Sequence, residues 1–144
     1  MGLSRVWIQT VADGLVRTDA IIGITAHPTP TIAGKPSRWL LDVVLPTTTG
    51  SGTAGSWVSS PLHRTLAQTD HPPGNATTAL AAMLARLDAA DAAGVITVER
   101  VRGEGSTAGV RFGFTSFPHT DQSDHDIDGD TPDDQGDPAI PATA

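Results

Sequence analysis

The stretch that decides the fold class runs from residue 75 to residue 94 and reads NATTALAAMLARLDAADAAG. Its larger apolar residues recur at the i, i+3, i+4, i+7 spacing of an amphipathic helix; they are Leu80, Met83, Leu84 and Leu87. Asn75 or Thr77 is suited to cap the first turn, and Gly94 is suited to follow the last. The pattern predicts one helix over about 76–93, and its many alanines favour close packing on a sheet.

On both sides of this helix the sequence alternates in the manner of β-strands. The predicted strands cover residues 5–11, 15–25, 38–45, 95–102 and 109–117. Asp13-Gly14 is a hairpin turn signal between the first two, and Pro46 is expected to end the third. We therefore predict an α+β fold: an antiparallel sheet or small open β-barrel with one packed helix and a C-terminal β-hairpin.

The segment from residue 47 to residue 56 is rich in Thr, Gly and Ser and is predicted to be a flexible loop. It contains a GxGxxG pattern at 50–55, but no helix follows to hold a pyrophosphate, so a dinucleotide site is not predicted. Loops often carry binding residues, so Gly50, Gly52, Gly55 and Trp57 are binding candidates. After Pro61, an edge strand is the favoured interpretation.

Charge divides the chain into two parts. Residues 1–117 carry nine basic and eight acidic side chains, whereas residues 118–144 carry eight aspartates and no basic residue, so the net charge of -7 belongs to the tail. We expect a single domain over 1–117 and a disordered, Asp-rich tail over 118–144. The near-neutral body excludes nucleic-acid binding by overall positive charge.

The tail contains half of a calcium-loop pattern. Asp124, Asp126, Asp128 and Asp130 place carboxylates at alternate positions, with Gly129 where such a loop needs glycine. The bidentate acid at the end of the loop is missing, because Gln135 stands there. The four aspartates are thus a weak calcium candidate; we predict no ordered metal site and no cofactor.

Catalytic patterns are sparse. The chain has no cysteine, which excludes thiol chemistry, and its five histidines form no HExxH motif. Asp70-His71, with His63 or with Ser59 or Ser60, allows a hydrolase-like enzyme as a weaker alternative, although no GxSxG elbow accompanies them. The histidines are interpreted as surface polar residues, and an enzyme is not the favoured hypothesis.

A mixed aromatic and basic face is the second binding candidate. Trp7 lies on the opposite strand face from Val6 and Ile8. If Trp7 is exposed near Arg5, Arg17 and Arg38, these four residues form one surface. Aromatic stacking with phosphate-pairing arginines is how small barrels bind oligonucleotides. The alternative function is therefore a nucleic-acid-associated regulator with an autoinhibitory acidic tail, whereas structural packing of Trp7 is the competing interpretation.

The leading functional hypothesis is a non-catalytic intracellular binding, adaptor or regulatory protein that acts through protein contacts. The arginine-rich, Ala- and Gly-rich composition suggests a bacterial gene, and we expect a cytoplasmic protein without membrane association because no apolar stretch approaches a bilayer span. Oligomeric state does not follow from the sequence.

Overall fold

The computed structural model describes residues 2–12, 14–53, 55–102 and 109–118. The strands in these ranges are β1 (Val6–Gln9), β2 (Leu15–Arg17), β3 (Gly23–Pro28), β4 (Trp39–Thr53), β5 (Ser56–Thr69), β6 (Gly94–Val101) and β7 (Gly109–Ser116), and the helix α1 spans Ala76–Ala89. Short 3-10 helices cover Gly2–Arg5 and Thr18–Ala20. The α+β class predicted from the sequence is confirmed.

The strands form two sheets instead of the single sheet or open barrel that was expected. The first sheet has the order β2-β1-β6-β7, and the second has the order β3-β4-β5. All neighbouring strands are antiparallel except β1 and β6, which run parallel. Among the described strands no barrel closes. The helix α1 contacts both sheets through β3 and β7.

The division into two sheets begins at Thr18, inside the predicted strand 15–25. The Thr18 hydroxyl is buried and donates to the carbonyl oxygen of Val6 at 3.0 Å, which holds the chain in a 3-10 turn directly after β2. β3 then pairs with β4 and not with the first sheet. The break was not predicted, because residues on both sides of the turn alternate with the period of two that is typical of a single strand.

Within the predicted flexible loop at 47–56, residues 48–53 and Ser56 are instead paired strand, and the expectation that Pro46 ends the third strand is wrong. β4 and β5 form a long ribbon whose register extends to Thr53 opposite Ser56. The register shifts between Leu45 and Thr48, so Pro46 lies at an irregularity where no ladder donor is needed. β3 pairs with β4 only as far as Val44, so no described strand lies on the other side of this part of β4.

The hydrophobic core lies where the helix meets both sheets. It includes Val6 and Ile8 of β1, Ile96 of β6, Leu41 and Val43 of β4, and Leu80 of α1. The predicted helical stripe packs on this core, since Met83, Leu84 and Leu87 lie against it together with Leu80. The position of one face of the helix therefore agrees with the sequence pattern.

The helix ends four residues earlier than expected, and Gly94 is not its terminal residue. Asp91 adopts the left-handed conformation, with φ of 48°, just after the last turn. Gly94 instead begins β6 opposite Ser116, where an added Cβ would lie 2.8 Å from the Ser116 Cα and would collide with the Thr115 carbonyl oxygen. The absence of a side chain at Gly94 therefore permits the close pairing of β6 with β7. Gly94 does not cap the helix.

The predicted C-terminal hairpin is present as β6 and β7. The predicted tail, apart from Pro118, and the calcium candidates Asp124, Asp126, Asp128 and Asp130 lie outside the described residues. In the described part of the chain, no helix combines the length and apolar character required to cross a bilayer.

Candidate metal centre

Three polar side chains meet on the outer face of the second sheet, the face opposite Leu41 and Val43. They are His27 of β3, Asp42 of β4 and His63 of β5. Because side chains alternate along a strand, Asp42 must lie on the opposite face from its buried neighbours Leu41 and Val43. In the β3–β4 register Thr25 lies opposite Asp42 and His27 lies opposite Leu40, so His27 reaches Asp42 along the diagonal.

A β-bulge places His63 on the same face. Leu41 lies opposite Ala67 but Asp42 lies opposite Thr65, so Leu66 is an additional residue on β5. Without that extra residue, Arg64 and not His63 would lie opposite Val44 and share a face with Asp42. Leu66 and Ala67 are both buried in the core, which is how the bulge is held. The core packing of Leu66 therefore determines which side chain accompanies Asp42.

The donor atoms of the three side chains lie within 4.8 Å of one another. Oδ2 of Asp42 is 2.9 Å from Nε2 of His27 and 3.4 Å from Nδ1 of His63. The two imidazole rings stand nearly perpendicular, at 83°, with centroids 6.2 Å apart. Two imidazole nitrogens and one carboxylate oxygen from three adjacent strands thus lie close enough together to ligate one ion. We call these three residues the His–Asp–His cluster.

The carboxylate of Asp42 is the buried member of the cluster. Its side chain is 4% exposed, whereas those of His27 and His63 are 44% and 43% exposed. The second oxygen, Oδ1, is buried without a hydrogen-bond partner, and so is the hydroxyl of Thr25, which lies opposite Asp42 on β3. An unsatisfied buried polar group costs about 1–3 kcal/mol, and more when it is charged, so a hydrogen-bond donor or a cation at this oxygen would lower the free energy of the folded chain.

The pKa of His27 is raised above its ordinary value of 6.5, chiefly by the hydrogen bond to Asp42 and then by the backbone carbonyl of Pro28. Oδ2 of Asp42 faces Nε2, and the Pro28 oxygen lies 3.3 Å from Nδ1, so both ring nitrogens face acceptors. Two acceptors favour the doubly protonated ring. Both contacts thus favour the protonated form of His27.

The glycine and tryptophan candidates lie together at the end of the β4–β5 ribbon. Gly55 has a φ of 100°, which the tight connection between the two strands requires. The Trp57 ring lies across the strand against Gly50 and Gly52, where an added Cβ would approach the ring to 3.2 and 3.5 Å, respectively. Trp57 is nevertheless 83% exposed. These candidates share one exposed surface, well separated along β4 and β5 from Asp42.

The arginine and tryptophan candidates are not gathered on one sheet. Trp7 is half-buried in the first sheet, directly opposite Arg17. Arg5 and Arg17 pair with Asp91 and Asp19, each at 2.6 Å. Arg38 precedes β4 in the second sheet and pairs with Asp70 at 3.2 Å. Each of these three arginines therefore has an acidic partner. The residues of the expected basic face are divided between the two sheets.

The residues considered for a hydrolase separate in the same way. Asp70 and His71 follow β5 at the end where Thr69 lies opposite Trp39, whereas His63 lies opposite Val44. Six residue-to-residue steps along the extended strand, about 20 Å, separate Thr69 from His63. His63 instead faces Asp42, which sequence reasoning had not singled out as a site residue.

Sequence reasoning missed the His–Asp–His cluster because its members are 15 and 21 positions apart on three strands. One local signal was available: Asp42 interrupts an otherwise apolar strand, and a buried acid needs a partner. Which residues partner it depends on the β5 bulge, which no periodicity reveals.

Comparison of the chain with protein-family models, with curated proteins and with solved structures finds no match. A functional assignment therefore rests on the chemistry and geometry of the chain itself.

Proposed function

We propose that the protein binds a divalent transition-metal ion through His27, Asp42 and His63. The observation that carries this proposal is the buried Asp42 carboxylate, which has one oxygen facing two imidazoles and the other without a donor. Hydrogen bonding alone accounts for Oδ2 but leaves Oδ1 unsatisfied. A cation held by the cluster would balance the buried charge.

The two distances from Asp42 to the imidazoles suit such an ion. Zinc binds imidazole nitrogen and carboxylate oxygen at about 2.0–2.2 Å, so ligand atoms in a tetrahedral site are about 3.4 Å apart. Nδ1 of His63 is 3.4 Å from Oδ2 of Asp42, and Nε2 of His27 is 2.9 Å from it. A small rotation of the half-exposed His27 ring would lengthen the distance from its Nε2 to Oδ2 of Asp42 from 2.9 Å to about 3.4 Å.

The ligand types favour zinc or a neighbouring first-row metal over calcium or magnesium. Imidazole is preferred by Zn²⁺, Cu²⁺, Ni²⁺ and Fe²⁺, whereas Ca²⁺ and Mg²⁺ prefer oxygen ligands throughout. Three protein ligands leave a coordination position for water or another molecule. Since both imidazoles are nearly half exposed, that position would face solvent, which favours a binding or regulatory role over enclosed catalysis.

Isothermal titration calorimetry of the full chain with Zn²⁺, after treatment with EDTA, tests the proposal. We expect one saturable site at micromolar or lower concentration, at least tenfold weakened by Asp42→Asn and by His63→Gln. The matched control replaces His71, His119 and His125 with Gln, because the Asp-rich tail and the other histidines are the competing zinc ligands. Loss of the site in this control, with full binding retained by Asp42→Asn, would contradict the proposal.

A second proposal keeps the adaptor hypothesis and assigns the protein contact to the β4–β5 ribbon. Trp57 and Val58 are 83% and 63% exposed at its end. A two-stranded ribbon is only marginally stable in water on its own, and exposed aromatic side chains of this kind are the usual anchors of interfaces. The occupant proposed is a protein partner that covers the Trp57 ring.

Affinity purification from the native host separates this second proposal from the first. A specific partner should be recovered with the wild-type chain and with Ile32→Ser, which changes an exposed apolar residue elsewhere. It should be lost with Trp57→Ala, although zinc binding remains. Equal recovery with Trp57→Ala would exclude the ribbon as the contact.

A further inference from the structure

A cleft between the two sheets collects three of the arginines. Arg38, Arg100 and Arg102 line it together with Asp70 and His71, and its volume is about 370 Å³. Arg38 and Asp70 come from the ends of β4 and β5, whereas Arg100 and Arg102 come from the end of β6. The cleft is distinct from the His–Asp–His cluster.

The charges in this cleft are unbalanced. Asp70 is the one carboxylate among its lining residues, and it lies 3.2 Å from Arg38. Among the described residues, three arginines therefore share the cleft with one carboxylate. Arg100 and Arg102 are both exposed, and both line the cleft. An anionic partner with more than one carboxylate or phosphate would complement them.

The chain itself contains a segment of the complementary charge. Residues 118–144 hold eight aspartates and no basic residue. We propose that the C-terminal acidic segment of the same chain binds the Arg38–Arg100–Arg102 cleft. An intramolecular acid needs no high concentration to bind, since the tether supplies a large effective concentration.

The length of the chain after Pro118 determines which aspartates can reach the cleft. Gly109 lines the cleft, and β7 carries the chain away from it to Ser116, so Pro118 is roughly 30 Å from the cleft at about 3.3 Å per residue. An extended chain spans at most about 3.3–3.6 Å per residue, so about nine residues beyond Pro118 are needed. The aspartates beyond that point are Asp128, Asp130, Asp133, Asp134 and Asp137. Asp121, Asp124 and Asp126 are too close to Pro118.

Paramagnetic relaxation in the full-length protein tests this contact. The chain has no cysteine, so Gln135→Cys carries a single nitroxide label without further changes. We expect loss of amide peak intensity at Val101, Arg102 and Gly109, and no loss in β2 at the opposite edge of the first sheet. The screening length falls from about 10 Å at 0.1 M to about 3 Å at 1 M salt, so the loss should disappear at high salt.

Two variants make the test specific. Replacing the five aspartates that can reach the cleft, Asp128 to Asp137, with Asn should restore the peak intensities. Replacing Asp121, Asp124 and Asp126 with Asn should leave the loss of intensity unchanged. Absence of the loss in the wild-type chain at low salt would overturn the proposal, and so would its persistence after Arg38, Arg100 and Arg102 are replaced with Gln. A loss seen only when labelled and isotope-enriched chains are mixed would assign the segment to a second copy and would also overturn it.

Discussion

Nε2 of His27 lies 2.9 Å from Oδ2 of Asp42, and this contact joins two neighbouring strands across the outer face of the second sheet. It is both a hydrogen bond of the metal-free chain and the shortest distance in the proposed metal centre. Proton and metal therefore compete for the same pair of atoms.

The first prediction concerns the ionisation of His27 in the metal-free chain. Its pKa lies above 6.5 because of Asp42 and Pro28, and we expect Asp42→Asn to lower it towards 6.5. Titration of the imidazole resonances by NMR in the presence of EDTA measures both values. His71→Gln is the control and should leave the His27 value unchanged; an unshifted His27 in the Asn variant would contradict the assigned cause.

The sign of the accompanying stability change follows from linkage. A pKa raised on folding stabilises the protein fully below the unfolded value of 6.5, and this contribution is lost as the pH rises through the raised value. The free energy of unfolding of the wild-type chain should therefore lose a contribution above pH 6.5 that His27→Gln lacks. Urea denaturation at a series of pH values, again with EDTA, measures the difference between the two chains.

The second prediction concerns zinc and thermal stability. A ligand that binds only the folded chain stabilises it by about 2.7 kcal/mol at a concentration one hundred times its Kd. Added Zn²⁺ should raise the melting temperature of the wild-type chain, and excess EDTA should reverse the rise. Asp42→Asn, which is expected to bind at least tenfold more weakly, should show a smaller rise in melting temperature with zinc; a rise equal to that of the wild-type chain would place the ion elsewhere.

The third prediction concerns Gly94, where β6 begins. A methyl group there would collide with the Thr115 carbonyl oxygen and press on Ser116, so Gly94→Ala should destabilise the fold by about 1–3 kcal/mol or more. Gly109→Ala, at the other end of the same hairpin, is the matched control because its added Cβ meets no atom within 4 Å. Chemical denaturation of both variants checks the difference, and equal stabilities would contradict it.

The fourth prediction concerns the contact of Trp57 with Gly50 and Gly52. The ring covers two strand glycines that have no side chains of their own, so its removal should loosen the ribbon locally. Trp57→Ala should accelerate amide hydrogen exchange between residues 48 and 60 and leave Leu41 and Val43 protected. Val58→Ala is the control and should change this exchange less. Unchanged exchange in the ribbon would show that the ring does not stabilise it.

The sequence by itself determined the elements whose signals are local. The spacing of Leu80, Met83, Leu84 and Leu87 determined the helix and its buried face, and alternation determined β1, β6 and β7. These signals work because each depends only on the period of one element. The α+β class follows from them.

Only the tertiary structure decided which strands pair and which side chains meet. The hydrogen bond of Thr18 stabilises the turn at which the chain passes from the first sheet to the second. The register irregularity beside Pro46 allows β4 to continue past a proline. The additional residue Leu66 turns His63 towards Asp42. These outcomes depend on packing between residues far apart in the chain, and a one-residue change of register reverses every face, so no local pattern specifies the His–Asp–His cluster.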